Sequence, residues 1–257
     1  MYPNQLKQKL QDGKLVLGSA LPALSSAMTT MICRTGIDFL WIDTEHSPWA
    51  TESLDAIPVL ARNQGVAPMI RVAWNDPALI KKAFDVGAVA VMVPQVNTAE
   101  EAAKAVEYAR YPPLGQRGVS PNWPQIAGVD WVTAIKNANA ETVLILQIES
   151  VQAYNNLDEI AKVPGIDVLL VGPMDMSASL GMITDMQAKE VQEIMQDIPK
   201  RLQGTGIVTG TTLGSVTELQ QKIDWGYRFL NVGSILGYGI DALVGHVETL
   251  RTHHARA

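Results

Sequence analysis

Eight short apolar segments, separated by stretches with helical periodicity, constrain the fold of this chain more than any other feature. Their residues are almost continuously Val, Ile, Leu and Met, which is typical of parallel strands that are covered on both faces. Eight strand–helix units within 257 residues predict one α/β domain over 1–257, an eight-stranded parallel TIM barrel, with an open doubly wound sheet as the alternative. The segments are Leu15–Ser19, Phe39–Asp43, Pro68–Val72, Ala88–Val93, Val143–Glu149, Val168–Gly172, Gly206–Thr211 and Phe229–Gly233.

Helical periodicity fills most of the sequence between these segments. One long stretch, Tyr111–Asp130, is instead rich in Pro and Gly, and a loop of that length in a compact domain usually covers a site. The helices are predicted over Thr51–Asn63, Pro77–Val86, Thr98–Arg110, Val151–Lys162, Lys189–Gln203 and Ser215–Trp225.

Charge and cysteine content exclude several classes of partner. The net charge is −6 without a basic cluster, so neither nucleic acid nor an anionic membrane surface is expected as a partner. No apolar run approaches the roughly 20 residues that span a bilayer, and the polar start of the chain does not resemble a signal peptide. Cys33 is the only cysteine; we interpret it as a packing residue and expect a reducing, cytoplasmic location.

Two carboxylates follow consecutive predicted strands. Glu149 ends the fifth apolar segment and Asp175 follows the sixth, with one amphipathic stretch between them. Side chains just past adjacent strands of a parallel barrel converge on one face, and two carboxylates there form a good site for a hard divalent cation. The alternative is a pair of ordinary strand-end acids that cap helices or pair with surface Arg.

The other strand ends carry an imidazole and a guanidinium. His46 follows the second segment with Asp43 and Glu45 beside it, and Arg71 lies at the end of the third. Because barrel active sites lie at the carboxyl ends of the strands, His46 is a candidate acid/base and Arg71 a candidate to hold a developing oxyanion. A packing role for His46 and a structural ion pair for Arg71 remain the alternatives.

The sixth strand is followed by a turn that enters a helix, Gly172-Pro-Met-Asp-Met-Ser177. Pro173 has no N–H, but Met174 and Asp175 offer theirs, and free N–H groups at such a turn can bind a carboxylate. A generic Gly-Pro turn is the alternative reading.

Taken together, these residues resemble the class II pyruvate aldolase family, also called the HpcH/HpaI aldolase family. The type activity of this family is cleavage of 4-hydroxy-2-oxoheptanedioate, on a barrel of the phosphoenolpyruvate/pyruvate-binding type. No lysine ends a predicted strand, which favours a metal-dependent aldolase over a Schiff-base one. The matching segments are Asp43–His46, Arg71–Pro77, Phe84–Ala88, Val93-Pro94, Arg110–Gly118, Gln147–Glu149 and Gly172–Gly181.

The resemblance implies an enzyme that reversibly cleaves a 4-hydroxy-2-oxo acid to pyruvate and an aldehyde through a metal-stabilised enolate. It implies that Glu149 and Asp175 bind Mg²⁺, with Mn²⁺, Co²⁺ or Zn²⁺ as alternatives. Arg71 would contact the keto oxygen. His46, supported by Asp43, would transfer a proton.

The resemblance also implies further substrate contacts and an assembly. Gln147 would line the pocket, and the turn of Gly172, Met174 and Asp175 would hold the substrate carboxylate. Asp85 would lie near the site of a neighbouring subunit, because the family forms homohexamers with exchanged C-terminal helices.

Several segments depart from the family pattern, and all belong to loops that shape the aldehyde side of the site. They are Val119–Pro124, Ser19–Pro22 and Thr209–Leu213. The identity of the aldehyde therefore does not transfer. The alternative functions are an oxaloacetate decarboxylase or condensing lyase that uses the same enolate, and a barrel that only binds a small acid.

Overall fold

A computed structural model describes residues 2–212 and 215–254. Eight parallel strands pair in sequence order, and the last strand pairs with the first to close the barrel. This confirms the predicted TIM barrel and excludes the open sheet. Each predicted strand overlaps an observed one. The strands are β1 Val16–Ala20, β2 Phe39–Asp43, β3 Ala67–Arg71, β4 Ala90–Val93, β5 Val143–Ile148, β6 Val168–Val171, β7 Val208–Thr212 and β8 Phe229–Ser234.

Helices surround this barrel, and two of the predicted helices are interrupted. The first is divided into a 3₁₀ helix over Thr51–Leu54 and an α-helix by Asp55, whose φ of 48° is not helical. The second is divided at Asn156, which ends one short helix and begins the next. The α-helices are α1 Leu6–Gln11, α2 Ser26–Cys33, α3 Ile57–Asn63, α4 Pro77–Asp85, α5 Ala99–Ala109, α6 Trp123–Ala127, α7 Trp131–Glu141, α8 Val151–Asn155, α9 Leu157–Ala161, α10 Pro173–Ser179, α11 Lys189–Arg201, α12 Val216–Trp225 and α13 Ile235–His254.

The apolar residues form two main clusters, one inside the barrel and one between the barrel and its helices. Alternate residues of each strand belong to one or the other, because successive side chains of a strand point to opposite faces. Inside, the rings of Phe39 and Phe229 stack with centroids 4.2 Å apart. Gly18 permits this packing, because a Cβ there would lie 2.3 Å from the Phe39 ring. The buried Cys33 belongs to the outer cluster, and burial raises the pKa of its thiol to about 11.

The long Pro- and Gly-rich segment lies at the amino ends of the strands. Its Trp123 ring lies 3.9 Å from the guanidinium of the buried Arg62. That guanidinium donates to the carbonyls of Gly87 and Ala88, just before β4, and pairs with Glu141, just before β5. The expectation that this segment covers the site is therefore wrong for the site of its own chain, which lies at the carboxyl ends.

The last helix, α13, has no buried residue in its described part. Its exposed apolar side chains include Leu243, Val244 and Leu250. Of the helices within residues 2–212 and 215–254, none combines the length and apolar character that a bilayer crossing requires.

Candidate active site

The predicted site residues of β2 and β3 are neighbours across the sheet. Asp43 and Arg71 are the last residues of these strands and stand opposite each other in the register. Both alternate with residues of the outer cluster, so their side chains point into the mouth of the barrel. The mouth is thus lined by polar groups directly above the apolar interior, where Trp41 lies 5.1 Å from the Arg71 guanidinium.

Arg71 is held by two carboxylates. Its Nε and Nη2 donate to the two oxygens of Asp43 at 2.9 and 2.6 Å, and its Nη1 lies 2.9 Å from Oε2 of Glu45. Burial alone would raise the pKa of Asp43, but the hydrogen bonds and charge of Arg71 outweigh it, so this pKa lies below its usual value. Asp43 and Arg71 are therefore both charged, and the guanidinium is fixed in orientation.

Glu149 lies just past β5 and is held at both oxygens. Oε1 accepts from the backbone N–H of Gln95 at 2.7 Å, and Oε2 accepts from Nε2 of Gln147 at 2.7 Å. The other end of the Gln147 amide receives a long contact of 3.5 Å from Nη1 of Arg71. Gln147, which is only 2% exposed, therefore links the guanidinium to the carboxylate.

The turn after β6 approaches Glu149 closely. A Cβ at Gly172 would lie 2.9 Å from Oε2 of Glu149. Any residue other than glycine would therefore clash with this carboxylate. Gly172 precedes α10, in which Pro173 is the first residue and Asp175 lies in the first turn. The N–H groups of Met174 and Asp175 have no acceptor within the helix, because the first turn of a helix leaves its donors unpaired.

Two of the carboxylates at the mouth, Glu149 and Glu45, have raised pKa values, first because of burial. Burial raises the pKa of Glu149 to about 7, and the charges of Asp175 and Glu45 add to the effect. Burial likewise raises the pKa of Glu45, although the nearby Arg71 and His46 oppose the shift. Burial and neighbouring negative charge disfavour the ionised form of these carboxylates, so a bound cation would stabilise them.

This donor set fits a small divalent ion. The mouth offers carboxylate oxygens rather than thiolates. The Glu149 carboxylate is oriented by two N–H donors, and the absence of a side chain at Gly172 leaves room for it. Among the described residues no three Asp, Glu, His or Cys side chains converge as a complete metal cage. Carboxylate oxygens are the ligands that hard divalent cations prefer in proteins.

His46 lies at the edge of this group and has a different partner from the one expected. Its side chain is 66% exposed, and Nε2 lies 3.7 Å from Oε2 of Glu45. Asp43 instead binds Arg71 and accepts from the backbone N–H groups of Glu45 and His46. The prediction that Asp43 supports the imidazole directly is therefore corrected: Asp43 fixes the turn that carries His46, and Glu45 faces its ring.

Asp85 does not join these residues. It ends α4, on the side of the barrel where β4 begins, and its carbonyl accepts from the N–H of Asn122. Burial raises the pKa of its carboxyl to about 6, although Arg117 and Lys81 oppose the shift. Its predicted contact with the site of a neighbouring subunit stays a prediction.

Sequence reasoning missed the roles of Glu45 and Gln95. Glu45 could have been found, because it lies two residues after Asp43 and so shares its face. Gln95 could not, because it acts through its backbone N–H at a φ of 52°, and nothing in a Gln residue indicates a left-handed conformation.

The chain matches known proteins over most of its length. The sequence profile described as HpcH/HpaI aldolase/citrate lyase matches residues 18–242. The chain is 35% identical over 234 residues to the 2-keto-3-deoxy-L-rhamnonate aldolase of Salmonella gallinarum (strain 287/91 / NCTC 13346), and this match covers 91% of the chain and 88% of the relative.

Solved structures give the same result. A HpcH/HpaI aldolase/citrate lyase family protein from Burkholderia cenocepacia J2315 superposes with a TM-score of 0.87 at 29% identity, covering 96% of this chain and 99% of that protein. The citrate synthase SbnG superposes with a TM-score of 0.85 at 26% identity, covering 97% and 98%.

Proposed function

The chain belongs to the HpcH/HpaI aldolase/citrate lyase family, and we propose that it is a divalent-metal-dependent aldolase. It reversibly cleaves a 4-hydroxy-2-oxo acid to pyruvate and an aldehyde, which makes it a carbon–carbon lyase. The observation that carries the proposal is the buried Glu149, oriented by two N–H donors and coupled to Asp175, in the same mouth as a fixed guanidinium.

Glu149 and Asp175 would hold the metal, which we propose to be Mg²⁺, with Mn²⁺, Co²⁺ or Zn²⁺ as substitutes. The bound ion supplies Lewis-acid polarisation of the 2-oxo group and orients the oxygens of the 2-oxo acid. Gln147 and the backbone of Gln95 keep the Glu149 carboxylate in place for this task.

Arg71 would stabilise the negative charge that develops on the keto oxygen when the C3–C4 bond breaks. Its Nε and one hydrogen of Nη2 are committed to Asp43. The hydrogens of Nη1, beside Glu45 and Gln147, and the second hydrogen of Nη2 are the donors that can face the substrate. A donor that is oriented before the reaction needs no reorganisation in the transition state. The substrate carboxylate would accept from the N–H groups of Met174 and Asp175 at the start of α10, beside Gly172.

His46 would take the proton of the C4 hydroxyl during cleavage. As this proton passes to His46, the C3–C4 bond breaks, the aldehyde is released, and the electron pair passes to the enolate. A proton from solvent water then adds to C3 to give the methyl group of pyruvate, and His46 returns its own proton to solvent. The imidazole is exposed at the edge of the mouth, and its Nε2 lies 3.7 Å from Oε2 of Glu45, which would orient the ring for this transfer.

We also propose that the protein acts as a homohexamer with exchanged C-terminal helices. An apolar groove of about 370 Å³ lies between β1, β8, α2 and the first turn of the chain's own α13, lined by Leu17, Ile32, Val232 and Ile235. The apolar residues of α13 are exposed in one chain, and α13 of a neighbour would bury them there. Asp85 would then approach the site of a neighbouring subunit. Light scattering tests this assembly, and a monomer at micromolar concentration would contradict it.

A condensing lyase is the second candidate. It is favoured by the citrate synthase SbnG, which shares the fold at 26% identity. Such an enzyme would use the same enolate with an oxo acid as acceptor in place of an aldehyde. The products formed from oxaloacetate separate the candidates, because a condensing lyase joins the enolate to it, a decarboxylase only releases CO₂ from it, and an aldolase also cleaves a 4-hydroxy-2-oxo acid to an aldehyde.

The test is metal-dependent enolisation of pyruvate, followed by NMR as exchange of methyl protons in deuterated water. The wild-type chain should catalyse exchange with Mg²⁺ or Mn²⁺, lose it with a chelator, and condense pyruvate with some members of an aldehyde panel. Glu149→Gln should abolish exchange, whereas Glu159→Gln, at an exposed ion pair with Lys162, should not. Absence of exchange with all four metals would overturn the proposal.

A further inference from the structure

The turn that follows β4 holds Glu149 through a backbone group. The N–H of Gln95 donates to Oε1 of Glu149 at 2.7 Å. Gln95 has a φ of 52°, and its side chain is exposed. A left-handed conformation is unfavourable for a residue with a side chain, and such outliers cluster where a site requires them. Here the unusual φ aims the N–H into the mouth while the side chain has no part in it.

Asn97 fixes this turn by hydrogen bonds to the neighbouring segments. Its Nδ2 donates to the carbonyl of Gln95 at 3.0 Å, and its Oδ1 accepts from the hydroxyl of Ser150, the residue after Glu149. Its backbone N–H donates to Glu101 in the first turn of α5 at 2.7 Å, and its carbonyl accepts from Asn156 at 2.8 Å. The turn is thus tied to α5 on one side and to the segment after Glu149 on the other.

We propose that the turn 94–97 positions the metal-binding carboxylate: the left-handed backbone of Gln95 orients Glu149, and Asn97 keeps Gln95 in that conformation. This inference rests on the proposed function, in which Glu149 is a metal ligand. Gln95 and Asn97 are positioning residues, because they act on the metal through Glu149 and not by contact. Groups that orient a ligand in this way are typically worth about 10–100-fold in metal affinity.

Two substitutions of Gln95 separate the backbone from the side chain. Gln95→Gly keeps the N–H and adopts positive φ freely, so its Kd for Mn²⁺ should stay within about threefold of wild type. Gln95→Val also keeps the N–H, but a β-branched residue strongly disfavours this φ. The turn should then withdraw the N–H from Glu149, and the Kd for Mn²⁺ should rise about tenfold or more. Electron paramagnetic resonance of free Mn²⁺ measures both values on the full-length protein.

Asp55 supplies the matched control. It is exposed and has a φ of 48°, and it lies between the 3₁₀ helix and α3. Asp55→Gly and Asp55→Val should change thermal stability in the same order as the Gln95 pair while leaving the Kd for Mn²⁺ unchanged. At saturating Mn²⁺, the Gln95→Val turnover should return to near the wild-type value, because orientation of the ligand limits binding and not the later steps.

Asn97→Ala tests the second half of the proposal and covers the case in which Gln95→Val does not fold. Loss of the bonds to Gln95 and Ser150 should raise the Kd for Mn²⁺ about three- to tenfold. Asn139→Ala removes two comparable side-chain bonds, both to the backbone of Tyr111 at 2.9 Å, at the opposite end of the barrel, and should affect stability alone. Equal Mn²⁺ affinity of Gln95→Gly and Gln95→Val, or a wild-type Kd for Asn97→Ala, overturns this inference alone. A wild-type chain that binds no Mn²⁺ overturns the proposed function as well.

Discussion

Arg71 and Asp43 form a two-point ion pair across neighbouring strands, with Nε–Oδ1 and Nη2–Oδ2 distances of 2.9 and 2.6 Å. The planar fork of a guanidinium matches a carboxylate in this geometry, which a lysine ammonium cannot reproduce. The pair fixes the orientation of Arg71 before any substrate binds and leaves Nη1 directed towards Glu45 and Gln147.

Arg71→Lys should therefore lower turnover roughly 10²-fold or more, the usual cost of one oxyanion donor. The ammonium keeps the charge but loses both the fork and the nitrogen at the position of Nη1. The measurement is kcat at saturating metal and substrate. Arg34→Lys, at the exposed end of α2, is the control and should leave kcat unchanged. Wild-type turnover in Arg71→Lys would show that the guanidinium does not act on the enolate.

Asp43→Asn should lower both pyruvate enolisation and aldol cleavage by about 10–100-fold. The amide can accept only one of the two hydrogen bonds from Arg71, and a hydrogen bond to a charged group contributes about 1.5–3 kcal/mol. Methyl-proton exchange and cleavage should be measured on the same preparation. If cleavage fell while exchange stayed normal, Asp43 would act through His46 after all.

Asp175→Asn should abolish metal-dependent activity without unfolding the protein, as should Glu149→Gln. Mg²⁺ has few protein contacts, so removal of one of two charged ligands removes most of its affinity. Calorimetric titration with Mg²⁺ measures the binding, and circular dichroism checks the fold. Asp185→Asn, at an exposed acid in the loop after α10, is the control. Full activity of Asp175→Asn after chelation and re-addition of metal contradicts the assignment.

The strands could be predicted from the sequence because buried parallel strands are nearly continuous in apolar residues, and their ends placed Asp43, Arg71 and Glu149 at one mouth. What could not be predicted is which acid meets which cation. Asp43 lies three residues from His46 in the sequence, yet it pairs with Arg71, 28 residues away. Such pairings depend on the stagger between strands. The location of the long Pro- and Gly-rich segment, in contrast, follows from its place between α5 and β5, because segments that lead from a helix into a strand lie at the amino ends of a parallel barrel.

The metal-free protein should lose stability as the pH rises through about 7. The pKa of Glu149 rises from its ordinary value of 4.5 to about 7 on folding, first because of burial. The folded chain therefore binds this proton more tightly than the unfolded chain. The contribution of this proton to the free energy of unfolding is complete below pH 4.5 and lost above pH 7. The shift corresponds to about 3 kcal/mol.

Urea unfolding in the presence of a chelator, at pH 5 and pH 8, measures this change. Glu149→Gln should remove the part of this change that Glu149 causes, because an amide does not titrate. The smaller part that comes from the raised pKa values of Asp85 and Glu45 should remain. Saturating Mg²⁺ should reverse the loss from Glu149 at pH 8. An equal pH dependence in wild type and Glu149→Gln would mean that another group causes it.

His46→Ala should separate the two half-reactions. Pyruvate enolisation needs the metal ligands and Arg71, whereas the ion-pair partner of His46 is Glu45, so methyl-proton exchange should continue. Cleavage must also remove the proton of the C4 hydroxyl, and loss of a general base typically costs about 10²–10⁴-fold. Glu45→Gln should reduce cleavage less, because it changes the carboxylate that faces the ring at 3.7 Å but keeps the ring itself. Glu159→Gln, at the exposed ion pair with Lys162, is the control and should leave both rates unchanged. If His46→Ala cleaves substrate at the wild-type rate, the ring has no role in proton transfer, and the base must be another group at the mouth of the barrel.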